Sequence, residues 1–386
     1  HRVFDSVRSA GQISRIDLAK QLRVSPASIT TLVGELMELG MLRESNDSTR
    51  STARGRPPVA LSVQPDAGYV VGIKLSRTRH TALVDAAGQP LAQASLDCIE
   101  RRRSLSQVLD ETAQVLDALL KEARLKRADI ACIGLGMPGM IDHASGQMVW
   151  SPLLTETDRP LRSLAEDAFG VPVAVDNDAN LVTLAELWFG KGRAMADFAV
   201  VTIEQGVGMG LVINHRLYRG AGSLGMELGH TKVQMDGALC QCGQRGCLEA
   251  YIADYALVRE ASAALDLTDM KTVPQDVMLQ QLYEQAKAGN NAAREIFRRA
   301  GRFLALGLAN VVNLFDPPLI ILAGERMQYD YLYADDVLRE MHMLALNRDA
   351  LQQKVETHAW GDLMWAHGAA ALALSEIADA MAERRV

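Results

Sequence analysis

The stretch VPVAVDNDANLVTLAELWFGKG, Val171–Gly192, passes from a short apolar run through an Asp-Asn-Asp turn into a helical pattern. A strand that hands over to a helix through a few polar residues is the repeating unit of α/β proteins. The flanking sequence repeats the alternation. YVVGIKLSRTRHTALVDAAGQPLAQASL, Tyr69–Leu96, reads as a series of β-hairpins, and RRSLSQVLDETAQVLDALLKEA, Arg102–Ala123, as an amphipathic helix. ADIACIGLGMPGMID, Ala128–Asp142, is a buried strand feeding a Gly-Pro loop, and FAVVTIEQGVGMGLVINHRLYRGA, Phe198–Ala221, is another hairpin. Strand, hairpin and helix recur after Gly68 and again after Asp197, which predicts an α/β body of two related lobes with a cleft between them.

Composition bounds the possibilities. A chain of 386 residues with 48% hydrophobic side chains can bury two or three domain-sized cores, so an extended or disordered protein is excluded. No apolar run approaches the roughly 20 residues that span a bilayer, which gives the cytoplasm as the expected compartment and no membrane partner. Because position 1 is His and a helical pattern is already under way there, the natural chain is expected to start earlier. Five cysteines, three of them clustered, fit a reducing compartment and a metal site better than a disulfide framework. Cys98 and Cys132 lie in apolar surroundings and are expected in the core.

The net charge of −7 is uneven. Residues 1–65 carry nine Lys or Arg against six Asp or Glu, a balance of +3 that leaves −10 for the rest. A basic head on an acidic body suggests that the head meets phosphate. Within it, SRIDLAKQL (Ser14–Leu22) and RVSPASITTLVGELMELG (Arg23–Gly40) read as two short helices around a tight turn, with RVFDSVRSA (Arg2–Ala10) as an earlier helix. Ser14 and Ser25 are natural N-caps, Pro26 a natural first-turn residue and Gly40 a stop. Ile16, Leu18, Ala19 and Leu22 form one buried face, and Ile29, Leu32, Val33, Leu36, Met37 and Leu39 the other. This is a helix-turn-helix pattern, in which Ser25, Ala27, Ser28, Thr30 and Thr31 would enter the major groove of double-stranded DNA. An arginine-bearing loop between short apolar runs then predicts a winged hairpin. Its RGRP segment places Arg54 and Arg56 where an extended Arg-Gly-Arg can enter a narrow minor groove.

The segment GHTKVQMDGALCQCGQRGC, Gly229–Cys247, collects His230, Cys240, Cys242 and Cys247 as H-x9-C-x-C-x4-C. Three thiols and an imidazole suit tetrahedral Zn2+, although C-x-C is tighter than the usual C-x2-C. Four protein ligands leave no open position for water, so the zinc is expected to be structural and not a Lewis acid.

Four segments, GLGMPGMID, VDNDANLVTLAELWFG, GVGMGLVINHRLYRGAGSLGMELGH and CQCGQRGCLEAY, resemble those of the ROK family of repressors and sugar kinases, and the helix-turn-helix head marks its repressor branch. The resemblance implies an actin-like (ribonuclease H-like) two-lobed body behind an N-terminal winged helix-turn-helix. It implies that Asn177, Asp178, Glu227, His230 and Glu249 line a sugar pocket, with Asp178 at the position of the kinase general base. Carboxylates and amides are the groups that read a ring of hydroxyls. His230 could serve both sites, one ring nitrogen on zinc and the other donating to a sugar oxygen.

The chain departs from the family's kinases on the phosphate side. Where they carry a Gly-Ile-Asp-Ile-Gly-Gly-Thr type of turn, this chain reads GIKLSRT, with Lys74 for the acid and Ser76 and Arg77 for the glycine pair. Glu204-Gln205-Gly206 stands for a second turn, Gly-Thr-Gly, and IILAGER has Ala323 and Glu325 where glycines are usual. Two anions about 4 Å apart repel by ~4 kcal/mol at an effective dielectric of 20, enough to weaken ATP binding severely. The expectation is a sugar-responsive regulator without enzymatic activity, with a sugar kinase bearing an accessory head and a regulator controlled by a protein partner as alternatives. A phosphosugar held by Lys74 or Arg77 stays open. The predicted division is 1–66 for the DNA-binding domain, 67–190 with 367–386 for the first lobe, and 191–366 for the second, with the zinc site and a surface for a homodimer or homotetramer.

Overall fold

The computed structural model describes residues 2–45, 59–64, 68–76, 78–84, 88, 90–98, 102–264, 274–328, 335–346, 354–358 and 363–383. Arg54, Arg56 and Arg77 lie outside the described residues. The chain forms two compact units, His1–Met195 with Asp362–Val386, and Ala196–Gly361.

The first unit opens with helix α1 (Arg2–Ala10), strand β1 (Ile13–Ser14), α2 (Arg15–Leu22), α3 (Pro26–Glu38) and strands β2 (Leu42–Ser45) and β3 (Ala60–Val63). The local chemistry explains the boundaries. Ser14 caps α2 by accepting from the Asp17 amide, Ser25 caps α3 by accepting from the Ser28 amide, and Pro26 occupies the first turn. Gly40 follows α3 at φ +71°, a left-handed conformation that suits glycine. The three strands form one antiparallel sheet in the order β1-β3-β2. Val3, Phe4, Val7, Leu18, Ile29, Val33, Leu42 and Leu61 fill the small core.

Two residues expected on buried faces are instead exposed, Ile16 at 59% and Leu32 at 41%. Both sit at the rim of a narrow stripe: a head this small offers its helices one inner face, which Leu18, Ala19, Ile29 and Val33 already occupy. Ser25, Ala27, Ser28, Thr30 and Thr31 are all exposed. The Thr30 and Thr31 hydroxyls donate back to the Pro26 and Ala27 carbonyls, at 2.9 and 3.3 Å.

The body of this unit comprises β4 (Tyr69–Lys74), β5 (Thr78–Val84), β6 (Pro90–Asp97), α4 (Leu105–Ala123), β7 (Ile130–Met137), β8 (Met140–Asp142), β9 (Gln147–Trp150), α5 (Leu161–Phe169), β10 (Val173–Asn177) and α6 (Asp178–Trp188). Its five-stranded sheet runs β10-β7-β4-β5-β6, with β4, β7 and β10 parallel and β5 and β6 antiparallel. The parallel strands are near-continuous apolar runs, as strands covered on both faces must be. The second unit comprises β11 (Phe198–Ile203), β12 (Val207–Ile213), β13 (Arg216–Tyr218), α7 (Glu249–Ile252), α8 (Asp254–Ala264), α9 (Gln275–Lys287), α10 (Asn291–Phe315), β14 (Leu319–Ala323), α11 (Asp335–Leu344) and β15 (Lys354–His358). Its sheet runs β13-β12-β11-β14-β15 with the same pattern of parallel and antiparallel pairs. The recurrence seen in the sequence is thus a strand-for-strand duplication of one sheet topology.

The chain then returns to the first unit as α12 (Met364–Glu383). Ala366, Ala369, Ala370, Ala371, Leu372 and Ala373 are fully buried, and small residues let this helix lie directly on β4 and β7. A Cβ placed on Gly72 would fall 1.9 Å from the Ala366 carbonyl oxygen, and one on Gly134 1.7 Å from that of Ala369. Cys132 is in the core as expected, its thiol pushed up to about 12 by burial. Cys98 is not: it follows the exposed edge strand β6 and is only half-buried. Among the described residues, no helix is long and apolar enough to cross a membrane.

Candidate functional site

In the second unit the chain after β13 winds through the turn Leu228–His230 and a loop held by two isolated antiparallel bridges, Lys232 with Cys247 and Leu239 with Arg245. Gly243 and Gly246 take φ of +85° and +78°. At Gly246 a side chain is also excluded by space, since its Cβ would stand 1.8 Å from the Gln234 carbonyl oxygen. The folded loop brings ligand atoms of His230, Cys240, Cys242 and Cys247 within 4.8 Å of one another. Cys242 Sγ is 3.7 Å from Cys247 Sγ, and Cys240 Sγ is 3.7 Å from His230 Nδ1. For a Zn–S bond of about 2.3 Å, tetrahedral geometry puts two sulfurs about 3.8 Å apart, so the four residues fit that ion. The Lys232 ammonium donates to Cys247 Sγ at 2.9 Å and to the His230 carbonyl at 3.1 Å, a cation placed where it would offset the negative charge of thiolates on a metal.

The same loop orients two of the expected sugar residues. His230 turns Nδ1 toward Cys240 and Nε2 toward Glu227, whose Oε2 is 4.0 Å away. A metal on Nδ1 would leave Nε2–H as a donor. Glu249, at the start of α7, is buried. Its Oε2 accepts from the Val207 amide at 3.3 Å, and its Oε1 lies 3.4 Å from both Cys240 Sγ and the Tyr255 hydroxyl. The metal loop, α8 and the β11–β12 turn therefore meet at one carboxylate. Lys232 and Tyr255 carry no spacing signal in the sequence, and only the folded loop brings them to the sulfurs.

That turn, Glu204-Gln205-Gly206, is closed by the Glu204 amide donating to the Gly206 carbonyl at 2.9 Å. The Glu204 side chain lies across Gly324, where an added Cβ would meet its Oε1 at 3.3 Å. Arg326 is locked in a buried bidentate pair with Asp254, at 2.6 and 2.7 Å. A carboxylate thus covers the glycine of the loop after β14, and the adjacent guanidinium is already engaged.

In the first unit, Asn177 and Asp178 stand where β10 runs into α6. Asn177 caps the helix by accepting from the Asn180 amide at 2.9 Å, and Asp178 Oδ1 accepts from the Ala179 amide at 2.9 Å. The helix N-terminus favours a negative charge there. Asp176 behind them is buried and accepts from the Asn177 amide and the Asn180 side chain. Burial raises the Asp178 carboxyl above the usual carboxylate range, and the charge of Lys74 pulls it partly back. Lys74 ends β4, two strands across the sheet from Asn177, and its Nζ lies 3.4 Å over the Trp365 ring. Lys74 is therefore a buried cation that acts on Asp178, a relation invisible over a separation of a hundred residues.

The ROK family pattern matches residues 70–376. The chain is 26% identical to the xylose repressor of Caldicellulosiruptor bescii over 373 residues, 95% of this chain and 92% of that protein. The fold is similar to that of a solved ROK family transcriptional regulator, a homologue of the Escherichia coli MLC protein (TM-score 0.79, 26% identity), with 98% of this chain and 96% of that one covered. A ROK hexokinase from Thermus thermophilus aligns with a TM-score of 0.69 and 28% identity, over 99% of its own length but 81% of this chain.

Proposed function

Because the chain belongs to the ROK family, we propose that it is a sugar-responsive, DNA-binding transcriptional repressor of genes for carbohydrate uptake or breakdown. The observation that carries this reading is the difference in coverage: the regulator matches 98% of the chain, whereas a complete hexokinase matches 81%. The head of three helices and a small antiparallel sheet supports a winged helix-turn-helix. In it α3 enters the major groove with Ala27, Ser28, Thr30 and Thr31 outward, Ser25 caps that helix, and Arg54 and Arg56 reach the minor groove. The body is actin-like, with residues 1–66 as the DNA-binding domain. Its effector is a sugar, and Asn177, Asp178, Glu227, His230 and Glu249 are the residues assigned to recognise it. Zn2+ held by His230, Cys240, Cys242 and Cys247 is structural. Lys74 and Glu204 replace the phosphate-binding chemistry of the kinases, so the protein is not an enzyme. Helix-turn-helix repressors read palindromic sites as pairs, which supports a homodimer or homotetramer.

Thermal-shift screening against pentoses, including xylose, and against hexoses, amino sugars and their phosphates tests the effector. Gel shifts with DNA selected from a random pool, with and without the stabilising sugar, test the response. The sugar is expected to raise the melting temperature and to change DNA affinity. No ADP release is expected with ATP, magnesium and the same sugars, and turnover at ordinary kinase rates would return the protein to the kinases. Asp178→Asn keeps the shape of the turn but loses the charge, and is expected to weaken sugar binding by about 10–100-fold in calorimetry, the usual worth of a hydrogen bond to a charged group. An unchanged affinity would remove Asp178 from the site.

Asp178 also sets an expected pH dependence. The carboxylate is the form that accepts from sugar hydroxyls, so affinity should fall as pH is lowered through the raised range of this half-buried group. Lys74→Met removes the cation that opposes that rise, and should move the loss of affinity to higher pH. Superimposable profiles for the two proteins between pH 5 and 9 would refute this role of Lys74.

A further inference from the structure

Helix α6 has the sugar-reading pair at its N-terminus and the DNA-binding head at its C-terminus. An α-helix rises about 1.5 Å per residue, so its eleven residues span about 16 Å. Every residue from Ala179 to Trp188 is buried. The helix is pressed close on two sides. A Cβ on Gly368 of α12 would stand 2.1 Å from the Leu181 carbonyl oxygen, and one on Gly136 of β7 1.8 Å from the Leu181 side chain. A helix packed this tightly moves as a body and does not bend, because close-packed interiors transmit displacement.

At the far end α1 of the head is clamped to it. The Arg8 guanidinium donates to the Leu187 carbonyl at 2.7 Å and lies 4.6 Å from the centre of the Trp188 ring, and Phe4 meets the same ring at 6.3 Å. Arg193, just beyond the helix, returns the grip: both Nε and Nη2 donate to the Arg8 carbonyl, and the Ser9 hydroxyl donates to the Arg193 carbonyl at 2.6 Å. Trp188 is held in turn by its indole N–H on Ser375 of α12, at 3.1 Å. Arg8 is 5% exposed and is used neither on the face of the head assigned to DNA nor in the sugar turn.

We propose that α6 is the coupling rod of the repressor and that Arg8 and Arg193 are its positioning residues, so that a sugar seated on Asn177 and Asp178 shifts α6 and thereby re-aims the DNA-binding head. This rests on the sugar-responsive reading above and adds the route of the signal. Shifts of 1–2 Å in a packed helix are a common form of switching. Coupling between two sites is reciprocal, so the sugar must change DNA affinity by the factor by which DNA changes sugar affinity, typically 5–150-fold.

The test uses the full chain, DNA selected from a random pool, and xylose or whichever sugar of the screen raises the melting temperature. DNA affinity is measured with and without sugar, and sugar affinity with and without DNA. Arg8→Met keeps the buried volume but loses the donors, and Arg193→Met breaks the opposite arm. In each, both separate affinities should stay within about threefold of wild type while the coupling factor falls toward one. Hydrogen exchange in α1 should stop responding to sugar. Arg8→Lys, which can still donate to Leu187 and stack on Trp188, should restore much of the factor. Wild-type coupling in both methionine variants overturns the rod while leaving the sugar response intact. A wild-type protein that binds sugar and DNA with a coupling factor of one overturns the sugar-responsive reading and the rod with it.

Discussion

Cys242→Ser is expected to yield protein without stoichiometric zinc, with a melting temperature lower by about 5–10 °C and a sugar affinity weaker by about tenfold. Cys242 is exposed, so the substitution opens no hole in the core and its cost reports on the metal. The binding free energy of structural zinc reaches ~10–16 kcal/mol in small zinc-folded peptides. Here only the loop from Gly229 to Cys247 is shaped by the ion, and the sheet and α10 behind it have their own core. A net loss of ~2–3 kcal/mol is the corresponding expectation, and at 2–4 °C per kcal/mol for a unit of this size it gives the stated shift. Sugar affinity falls because His230 loses the partner that fixes its ring, and Glu249 loses the ordered Cys240 beside its carboxylate. One or two hydrogen bonds are at stake, which amounts to about tenfold. Elemental analysis, a melting curve and calorimetry check the three parts. Zinc retained at one per chain would sink the ligand assignment, and zinc lost with unchanged sugar affinity would sever the coupling.

Gly134→Ala should cost more. The added methyl would meet the Ala369 carbonyl oxygen at 1.7 Å and the carbonyl carbon at 2.6 Å, and neither atom can rotate away because both belong to the backbone of α12. Overpacking of a core commonly costs 1–3 kcal/mol, and a clash with the backbone of a buried helix belongs at or above the top of that range. The expected result is a fall in melting temperature of about 8 °C or more, or loss of soluble protein, with α12 losing protection from hydrogen exchange first. Gly34→Ala provides the contrast, since nothing lies within 4 Å of its added Cβ in the middle of α3. Alanine is the better helix former by about 1 kcal/mol, so this variant should be slightly stabilised. Equal melting temperatures for the two variants would mean that α12 does not pack through a glycine window.

Features governed by neighbours in the chain were legible from residues alone. The N-caps at Ser14 and Ser25, the proline in the first turn of α3 and the stop at Gly40 rest on local backbone chemistry, and each stands where the sequence places it. The spacing from His230 to Cys247 is of the same kind, because an eighteen-residue loop that turns at Gly243 and Gly246 can gather its four side chains without help from elsewhere. The exposure of Ile16, Leu32 and Cys98 was not legible. Apolarity states a preference for burial, but how much inner surface a small head or an edge strand has to offer is decided by packing.

Helical and strand periodicity, caps, metal spacing and the recurrence after Gly68 and Asp197 determined by themselves that this is an α/β protein with a helical N-terminal segment and a clustered Cys3His set. Each of those signals lies within a few residues or repeats a local pattern. Tertiary structure alone decided that α12 returns to close the first sheet, that Lys74 lies over Trp365 beside Asp178, that Glu204 covers Gly324, and that Arg8 grips the end of α6. These contacts join residues separated by about 100 to 290 positions, and no periodicity in a chain encodes them. They arise only when sheets and helices pack.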